Sequence, residues 1–313
     1  SFLIIESRIE YLMEKLFTQY EITKVPPHLN FEDRLRNWLD SARLDLDQRV
    51  LFELVPRLFF VGREESVSLC RSAFNGPVMR WLVDQCGIRL TDTDLAGLLR
   101  AGVNSTWFCP ITDSMNINQF HHINGIEGQN YRPDFRSLAK FDNAASILSF
   151  MSNETPQLKR IVLLEDFIGT GSQAKTAIEF ASSISSSTAI MVCPMIIARS
   201  GDKVMRRLQR QFANVHYEPV LVLDDSVLLS ERPQQNEQPF TLALRKTVQN
   251  THSRVYRNNS KHDYGPFGFG SRVEGGGLLI VLFSNCPDNS IPLLHHASPR
   301  TWSPLFPRSS REE

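Results

Sequence analysis

The chain has 313 residues, enough for one large domain or two smaller ones with a sizeable core. Basic and acidic residues number 34 each, so bulk charge favours neither a nucleic acid nor a membrane as partner. The five cysteines are scattered and include no Cys-x-x-Cys pair, which is typical of reduced thiols. No apolar run approaches the roughly 20 residues of a membrane-spanning helix, and the first residues do not resemble a signal peptide. We therefore expect a cytoplasmic protein with no membrane partner.

Residues 1–100 are expected to form a helical N-terminal region with little strand character. Apolar side chains recur at helical spacing in residues 5–18 and 31–42, and Asn30 is a suitable N-cap for the second helix. Such stripes are more often core than ligand sites. We expect residues 101–313 to form an α/β domain. The helical region would then be a cap on its sheet or a layer on which partner proteins dock.

The most informative stretch is residues 161–173, with the sequence IVLLEDFIGTGSQ. Its apolar beginning predicts a strand buried on both faces of a parallel sheet, and Glu165 and Asp166 follow at the carboxyl end. A Gly-Thr-Gly-Ser turn then leads into a predicted helix over residues 174–184. Glycines let the backbone approach an anion, and the N–H groups of a helix N-terminus point at it. The pattern predicts a phosphate site where open α/β sheets bind ligands.

This stretch matches neither the Walker loop nor the dinucleotide-binding glycine motif. An ordinary strand–helix turn remains an alternative, in which the two acids favour the helix N-terminus and the glycines only turn the chain.

Further strands are predicted on both sides of the motif, at residues 106–111, 188–198 and 215–223, with helices between them. This alternation indicates an α/β fold with a mostly parallel sheet flanked by helices. The polar residues 115–136 are expected to be irregular.

Two motifs carry a resemblance to known proteins. The strand, acidic pair and loop at residues 161–173 resemble the phosphoribosyl-pyrophosphate loop of type I phosphoribosyltransferases. The sequence SNCPDNSIPLL at residues 284–294 and RNWL at residues 36–39 resemble the phosphoribosyltransferase-like effector family, called PRTase-CE, of bacterial conflict systems. Some members of that family are encoded beside retron reverse transcriptases.

The resemblance implies a type I phosphoribosyltransferase-like, Rossmann-like fold and a set of residue roles. Glu165 and Asp166 would contact the ribose hydroxyls. The 5′-phosphate would lie against Gly169, Thr170, Gly171, Ser172 and Gln173. The loop after an upstream strand would meet the pyrophosphate, and by position its candidates are Thr112, Asp113 and Ser114. A plain turn fits those three residues equally well.

The resemblance also implies that Mg²⁺ is held by the substrate, with no direct protein ligand. A hood-like C-terminal segment, residues 264–313, would recognise a base. Its candidate residues are Phe267 and Phe269 for stacking, with Asn285, Asp288 and Asn289 for the base edge. Local backbone contacts in a turn-rich loop are an alternative role for the three polar residues.

Two functions follow as expectations. The first is an effector enzyme of anti-phage defence, a toxin that acts on phosphoribosyl pyrophosphate or a nucleotide as a glycosyltransferase or N-glycosidase. The second is a catalytically inactive nucleotide sensor or structural subunit, which Gly169 favours because a general base often occupies that position. A reverse transcriptase–nucleic acid complex, another defence protein and a second copy of the chain are the expected partners.

Overall fold

The computed structural model describes residues 2–20, 30–89, 91–112, 114–127, 144–154, 156–256, 265–269 and 275–308. The chain divides into two units. Ser66–Leu223 forms one, here the central unit, and Ser1–Glu65 with Asp224–Glu313 forms the other, here the terminal unit. The predicted boundaries near residues 100 and 264 fall inside these units and do not separate them.

A parallel sheet forms the middle of the central unit. Its strands are β2 (Thr106–Pro110), β3 (Arg160–Ile168), β4 (Ala189–Ile197) and β5 (Val215–Tyr217), hydrogen-bonded in that order. A short strand, β6 (Leu221–Val222), also pairs with β4. The strands are continuous apolar runs because helices cover both faces, as parallel sheets require. The predicted α/β class is thereby confirmed.

Helices surround this sheet within the central unit. Its elements are α4 (Arg63–Ala73), which begins at the unit boundary, a π-helical turn (Phe74–Val78), α5 (Met79–Cys86), α6 (Leu95–Asn104), α7 (Ile117–Asn124), α8 (Ala144–Asn153), α9 (Ser172–Ile184) and α10 (Arg199–Gln211). Trp107, Ile161, Ala177 and Met205 are among the buried side chains between sheet and helices.

Helix α7 corrects one expectation. Residues 115–136 were expected to be irregular, yet Ile117–Asn124 is helical, with the Asn116 side chain accepting a hydrogen bond from the N–H of Gln119. Gly125 ends the helix with a left-handed φ of 61°. The capping residues Asn116 and Gly125 favour a helix here despite the polar composition of the segment. Residues 128–143 lie outside the described part of the chain.

The terminal unit combines both ends of the sequence. Its elements are α1 (Phe2–Lys15), α2 (Phe31–Ser41), α3 (Asp45–Leu54), β1 (Phe59–Val61), β7 (Leu228–Ser230), α11 (Pro239–Val255), β8 (Gly276–Leu278), β9 (Ile280–Leu282) and α12 (Pro292–His295). Strand β1 pairs in parallel with β9, and β7 pairs antiparallel with β8. The strand β1 was not expected in a region predicted to be helical.

Two buried indoles tie the ends of the terminal unit together. Trp38 Nε1 donates to the Leu293 carbonyl over 2.7 Å, and Trp302 Nε1 donates to the same oxygen over 2.9 Å. Both rings lie in a core that also contains Phe17 and Phe306. A carbonyl oxygen has two lone pairs, so both donors are satisfied without water.

Candidate functional site

The acidic pair lies near the carboxyl end of β3, which extends past both acids to Ile168. Glu165 is buried, with 3% of its surface exposed, whereas Asp166 is half-buried. Successive side chains of a strand point to opposite faces, so the two carboxyls have different surroundings. Asp166 is the one that has access to solvent.

The loop after β2 reaches this pair. The Ile111 N–H donates to the Leu164 carbonyl over 2.8 Å, which continues the pairing of β2 with β3. The next N–H, that of Thr112, donates to Glu165 Oε2 over 2.7 Å. Neighbouring parallel strands end at the same edge of a sheet, and this brings Thr112 and Ser114 against residues 165 and 166. Asp113 lies outside the described residues.

Four short oxygen–oxygen contacts link the hydroxyl and carboxyl groups. Thr112 Oγ1 lies 2.7 Å from Glu165 Oε1 and 2.8 Å from Ser114 Oγ. Ser114 Oγ lies 2.6 Å from Glu165 Oε1 and 2.9 Å from Asp166 Oδ1. The two hydroxyls supply only two protons for four contacts. The geometry therefore fits an additional proton held on the carboxyl pair.

The pKa of Glu165 agrees with this count. Burial raises that pKa well above its ordinary value of 4.5, and the negative charge of Asp166 raises it further. Hydrogen bonds from Ser114 and Thr112 act in the opposite direction without cancelling the effect of burial. Glu165 therefore retains its proton more strongly than an exposed glutamate does.

The glycine loop has the geometry of an anion site. Gly171 has a φ of +81° and stands immediately before α9, whose first full-turn bond runs from the Lys175 N–H to the Gly171 carbonyl over 2.8 Å. Within the described chain, the N–H groups of residues 169–174 have no hydrogen-bond acceptor. The Thr170 and Ser172 hydroxyls lie 3.2 Å apart beside these N–H groups. Together they are a set of hydrogen-bond donors at a helix N-terminus, which is the environment that a phosphate dianion prefers.

The first turn of α10 supports the loop from behind. Ser200 Oγ donates to the Gly169 carbonyl over 3.3 Å. A methyl group at Gly201 would lie 2.4 Å from that same oxygen and 3.1 Å from Ile168 Cγ2. Because only a hydrogen fits there, glycine at position 201 lets the helix approach the loop closely. Ser172 and Gln173 remain exposed on the open side.

A family comparison adds to this geometry. A family model named PRTase-CE matches residues 35–308, which is most of the chain. The chain belongs to the PRTase-CE family. Comparisons with curated proteins and with solved structures give no match. Membership indicates a phosphoribosyltransferase-like function, in keeping with the parallel sheet and its flanking helices.

The base-recognition candidates of this PRTase-CE protein lie in the terminal unit and differ in availability. Phe267 is fully buried in the core and has no free ring face, so its proposed stacking on a base is wrong for this structure. Phe269 is 48% exposed. Asn285 Oδ1 accepts from the N–H of Cys286, and Asp288 pairs with Arg308. Asn289 has a buried side-chain nitrogen without a partner among the described residues.

One neighbour of the acidic pair, Cys70, was missed by sequence reasoning. Burial raises the pKa of the Cys70 thiol to about 11, and the charge of Asp166 adds to the shift, so the thiol stays neutral. Cys70 is a single cysteine in a predicted helix, and nothing in the sequence around it indicated that it would lie near Asp166.

Two further observations concern metals and membranes. In the described part of this PRTase-CE chain, no three His, Cys, Asp or Glu residues are grouped to hold a metal ion. No described helix has both the length and the apolar character required to cross a membrane.

Proposed function

We propose that this protein is a phosphoribosyltransferase-like enzyme that acts on phosphoribosyl pyrophosphate or a nucleotide at the edge formed by β2 and β3. The observation that carries the proposal is the convergence of Thr112 and Ser114 on the acidic pair, beside a loop of unpaired N–H groups. Oxygen ligands for a sugar and donors for a phosphate then stand side by side.

The proposal gives each group a role. The half-exposed Asp166 accepts hydrogen bonds from the ribose hydroxyls, and residues 169–173 hold the 5′-phosphate. Glu165 is a positioning residue, because its carboxyl is buried and holds the Thr112 N–H and the Thr112 and Ser114 hydroxyls. The loop that begins at Thr112 would then face the leaving group at ribose C1.

Magnesium is proposed as a substrate-bound ion. The oxygen-rich edge of Asp166, Thr112 and Ser114 suits a magnesium–diphosphate complex, since Mg²⁺ prefers oxygen ligands and keeps several waters. When bound, the ion neutralises charge on the departing diphosphate. The side chains contribute separately: they orient the ribose, anchor its phosphate, and place the carboxylate of Asp166 near the cationic sugar that forms as the C1 bond breaks.

The proposed setting is anti-phage defence in bacteria, with the protein as a toxic effector. Support comes from the sequence resemblance at residues 284–294 and from the PRTase-CE match. A reverse transcriptase–nucleic acid complex or another defence protein is the proposed regulator, and a second copy of the chain is a further proposed partner.

A second candidate is a nucleotide sensor or structural subunit without catalysis. Two observations favour it. Gly169 leaves the loop without the carboxylate that often serves as general base, and Glu165 is fully engaged by its neighbours. The enzyme and the sensor both bind a phosphoribosyl group, whereas a structural subunit need not, so binding is the first property to test.

The test is a thermal unfolding titration with phosphoribosyl pyrophosphate and Mg²⁺ on the wild type and on Asp166→Asn. A ligand at about 100 times its dissociation constant stabilises the folded state by roughly 2.7 kcal/mol. We expect a clear rise in Tm for the wild type, and loss of that rise in Asp166→Asn with its unliganded Tm close to wild type.

An equal rise in both proteins would contradict the assignment of Asp166. No rise with phosphoribosyl pyrophosphate, under conditions where NAD or ATP produces one, would favour the sensor. If the ligand binds, release of pyrophosphate or of a free base in the presence of candidate acceptors separates the enzyme from the sensor.

A further inference from the structure

Helix α10 carries a row of cations on one face. Its basic residues are Arg199, Lys203, Arg206, Arg207 and Arg210, and all five are exposed. They occupy positions i, i+4, i+7, i+8 and i+11, which fall on one side of an α-helix. We refer to this row as the basic face of α10.

Acidic groups leave three of the five cations of the basic face without an ion pair among the described residues. The one carboxylate of the helix, Asp202, is buried, and it accepts from Tyr217 Oη and from Arg206 Nε, both over 2.8 Å. On the adjacent helix, Lys175 and Glu179 pair with each other at 3.8 Å. Among the described residues, Lys203, Arg207 and Arg210 form no ion pair. The chain has no net charge, so this cluster is a local concentration of positive potential.

The arrangement does not serve the stability of the helix. Like charges three or four residues apart repel each other, as Lys203 does with Arg207 and Arg206 with Arg210. Arg199 in the first turn also opposes the helix dipole, whereas Arg210 in the last turn is favoured by it. A polyanion bound along the face would neutralise this repulsion.

The basic face begins where the glycine loop is supported. Ser200 Oγ donates to the Gly169 carbonyl over 3.3 Å, and the Cα of Gly201 packs against Gly171. From Arg199 to Arg210 the helix rises about 16 Å, which matches several successive phosphates of one strand. The helix has no aromatic residue on which a base would stack.

We propose that the basic face of α10 binds the phosphate backbone of a nucleic acid, without reading its sequence. This surface goes beyond the proposed phosphoribosyl chemistry and does not depend on it. The row of separate guanidinium and ammonium groups suits a regularly spaced line of phosphates.

The experiment measures binding of a fluorescent mixed-sequence oligonucleotide, single-stranded and duplex, to the full chain by anisotropy across a salt series. No phosphoribosyl substrate is present. If four phosphates are neutralised, affinity falls about 50- to 150-fold between about 50 and about 200 mM salt. In the triple variant Lys203→Glu, Arg207→Glu, Arg210→Glu, we expect binding to be lost. If binding persists, we expect the slope of log affinity against log salt concentration to decrease in magnitude by about three.

A matched control carries the same change of charge elsewhere in the central unit. Arg71, Arg100 and Lys159 are exposed and form no ion pair among the described residues. Their triple change to Glu is expected to keep binding close to wild type. A second variant, Lys203→Arg, Arg207→Lys, Arg210→Lys, retains the charges and is expected to retain affinity. Circular dichroism melts check that each variant is folded.

Three results would overturn the proposal. Equal losses in the α10 variant and the control would show a general effect of net charge. Wild-type affinity of the folded α10 triple variant would place the nucleic acid elsewhere or nowhere. If a polyglutamate peptide competes with the oligonucleotide and binds equally tightly, the ligand of this face is an acidic protein segment.

Discussion

Glu165 is a carboxyl group that the fold has removed from solvent and surrounded with three donors. Its two oxygens differ, because Oε2 accepts a backbone N–H whereas Oε1 faces two hydroxyls. A glutamine fits both environments: its carbonyl oxygen accepts from Thr112, and its NH₂ group donates to the hydroxyl oxygens.

The pH dependence of stability follows from the raised pKa of Glu165. Above the ordinary value of 4.5, the folded chain keeps a proton that the unfolded chain has lost. The free energy of unfolding of the wild type therefore falls as pH rises from that value through the folded-state pKa, by up to about 1.4 kcal/mol per pH unit. Glu165→Gln lacks this contribution, so its stability relative to wild type is expected to rise with pH.

Denaturant unfolding of both proteins, from about pH 5 to about pH 8, measures this difference. Glu165→Ala is the control, because it removes the same titration but leaves the Thr112 N–H without its acceptor. We expect the alanine variant to be less stable than Glu165→Gln by roughly 1–3 kcal/mol at every pH, because both variants lack the titrating carboxyl. Parallel pH profiles for the wild type and Glu165→Gln would show that the carboxyl titrates normally.

At the scale of elements, the contact between the glycine loop and α10 leaves no room for a side chain at Gly201. A Cβ there would be 2.4 Å from the Gly169 carbonyl oxygen, so Gly201→Ala must displace the loop or the helix. We expect a loss of at least about 1 kcal/mol of stability together with weaker phosphoribosyl binding, measured by unfolding and by titration.

Gly76 provides the control for that substitution. A Cβ at Gly76 would meet nothing closer than 3.5 Å, at an Arg80 side-chain nitrogen. Pro77 sterically restricts a preceding residue that carries a Cβ in a helical conformation, so Gly76→Ala is expected to cost some stability but to leave phosphoribosyl binding close to wild type. If Gly201→Ala binds the phosphoribosyl ligand as tightly as Gly76→Ala does, the loop does not depend on its support by α10.

Local patterns predicted the elements of the site because each is specified within a dozen residues. The apolar run before Glu165 and the glycines before Ser172 were sufficient for strand, loop and helix. The single strand expected at residues 215–223 is instead divided into β5 and β6. Pro219 lies in the gap and Pro194 opposite it, and neither has an N–H for sheet pairing.

The contacts that complete the site were harder to predict. Thr112 is 53 residues from Glu165, and their hydrogen bonds depend on the register of β2 against β3. Position alone suggested Thr112 and Ser114, and no sequence feature showed that Glu165 would be buried by them. Burial of Phe267 likewise depends on packing with distant residues of the terminal unit, such as Ile291.

At the scale of the molecule, the two units differ in how the chain supplies them. The central unit is continuous, whereas the terminal unit needs both ends, for example in the pairing of Phe59 with Ile280. This division was not predictable from composition, because the three-residue strands β1 and β9 carry little signal and lie more than 200 residues apart.

We expect a fragment of residues 63–223 to fold alone, since it holds a whole sheet and its helices. Its thermal unfolding should be cooperative by circular dichroism, as for a single domain of this size. The matched fragment of residues 224–313 lacks β1 and α2, the helix that contains Trp38. It should show no cooperative unfolding transition. The reverse result for either fragment would contradict this division of the chain.

The discontinuous terminal unit also has a consequence for synthesis on the ribosome. Residues 2–61 emerge first, but their partners in residues 224–308 follow only after the whole central unit has been translated. At about 5–20 residues per second, translation of the central unit takes roughly 8 to 32 s. Phe17 and Trp38 remain without most of their core during that time, and the central unit is complete before their partners appear. A ribosome that stops near residue 223 would therefore release a chain with a complete central unit and an unfolded segment before it, which is a substrate for chaperones and proteases.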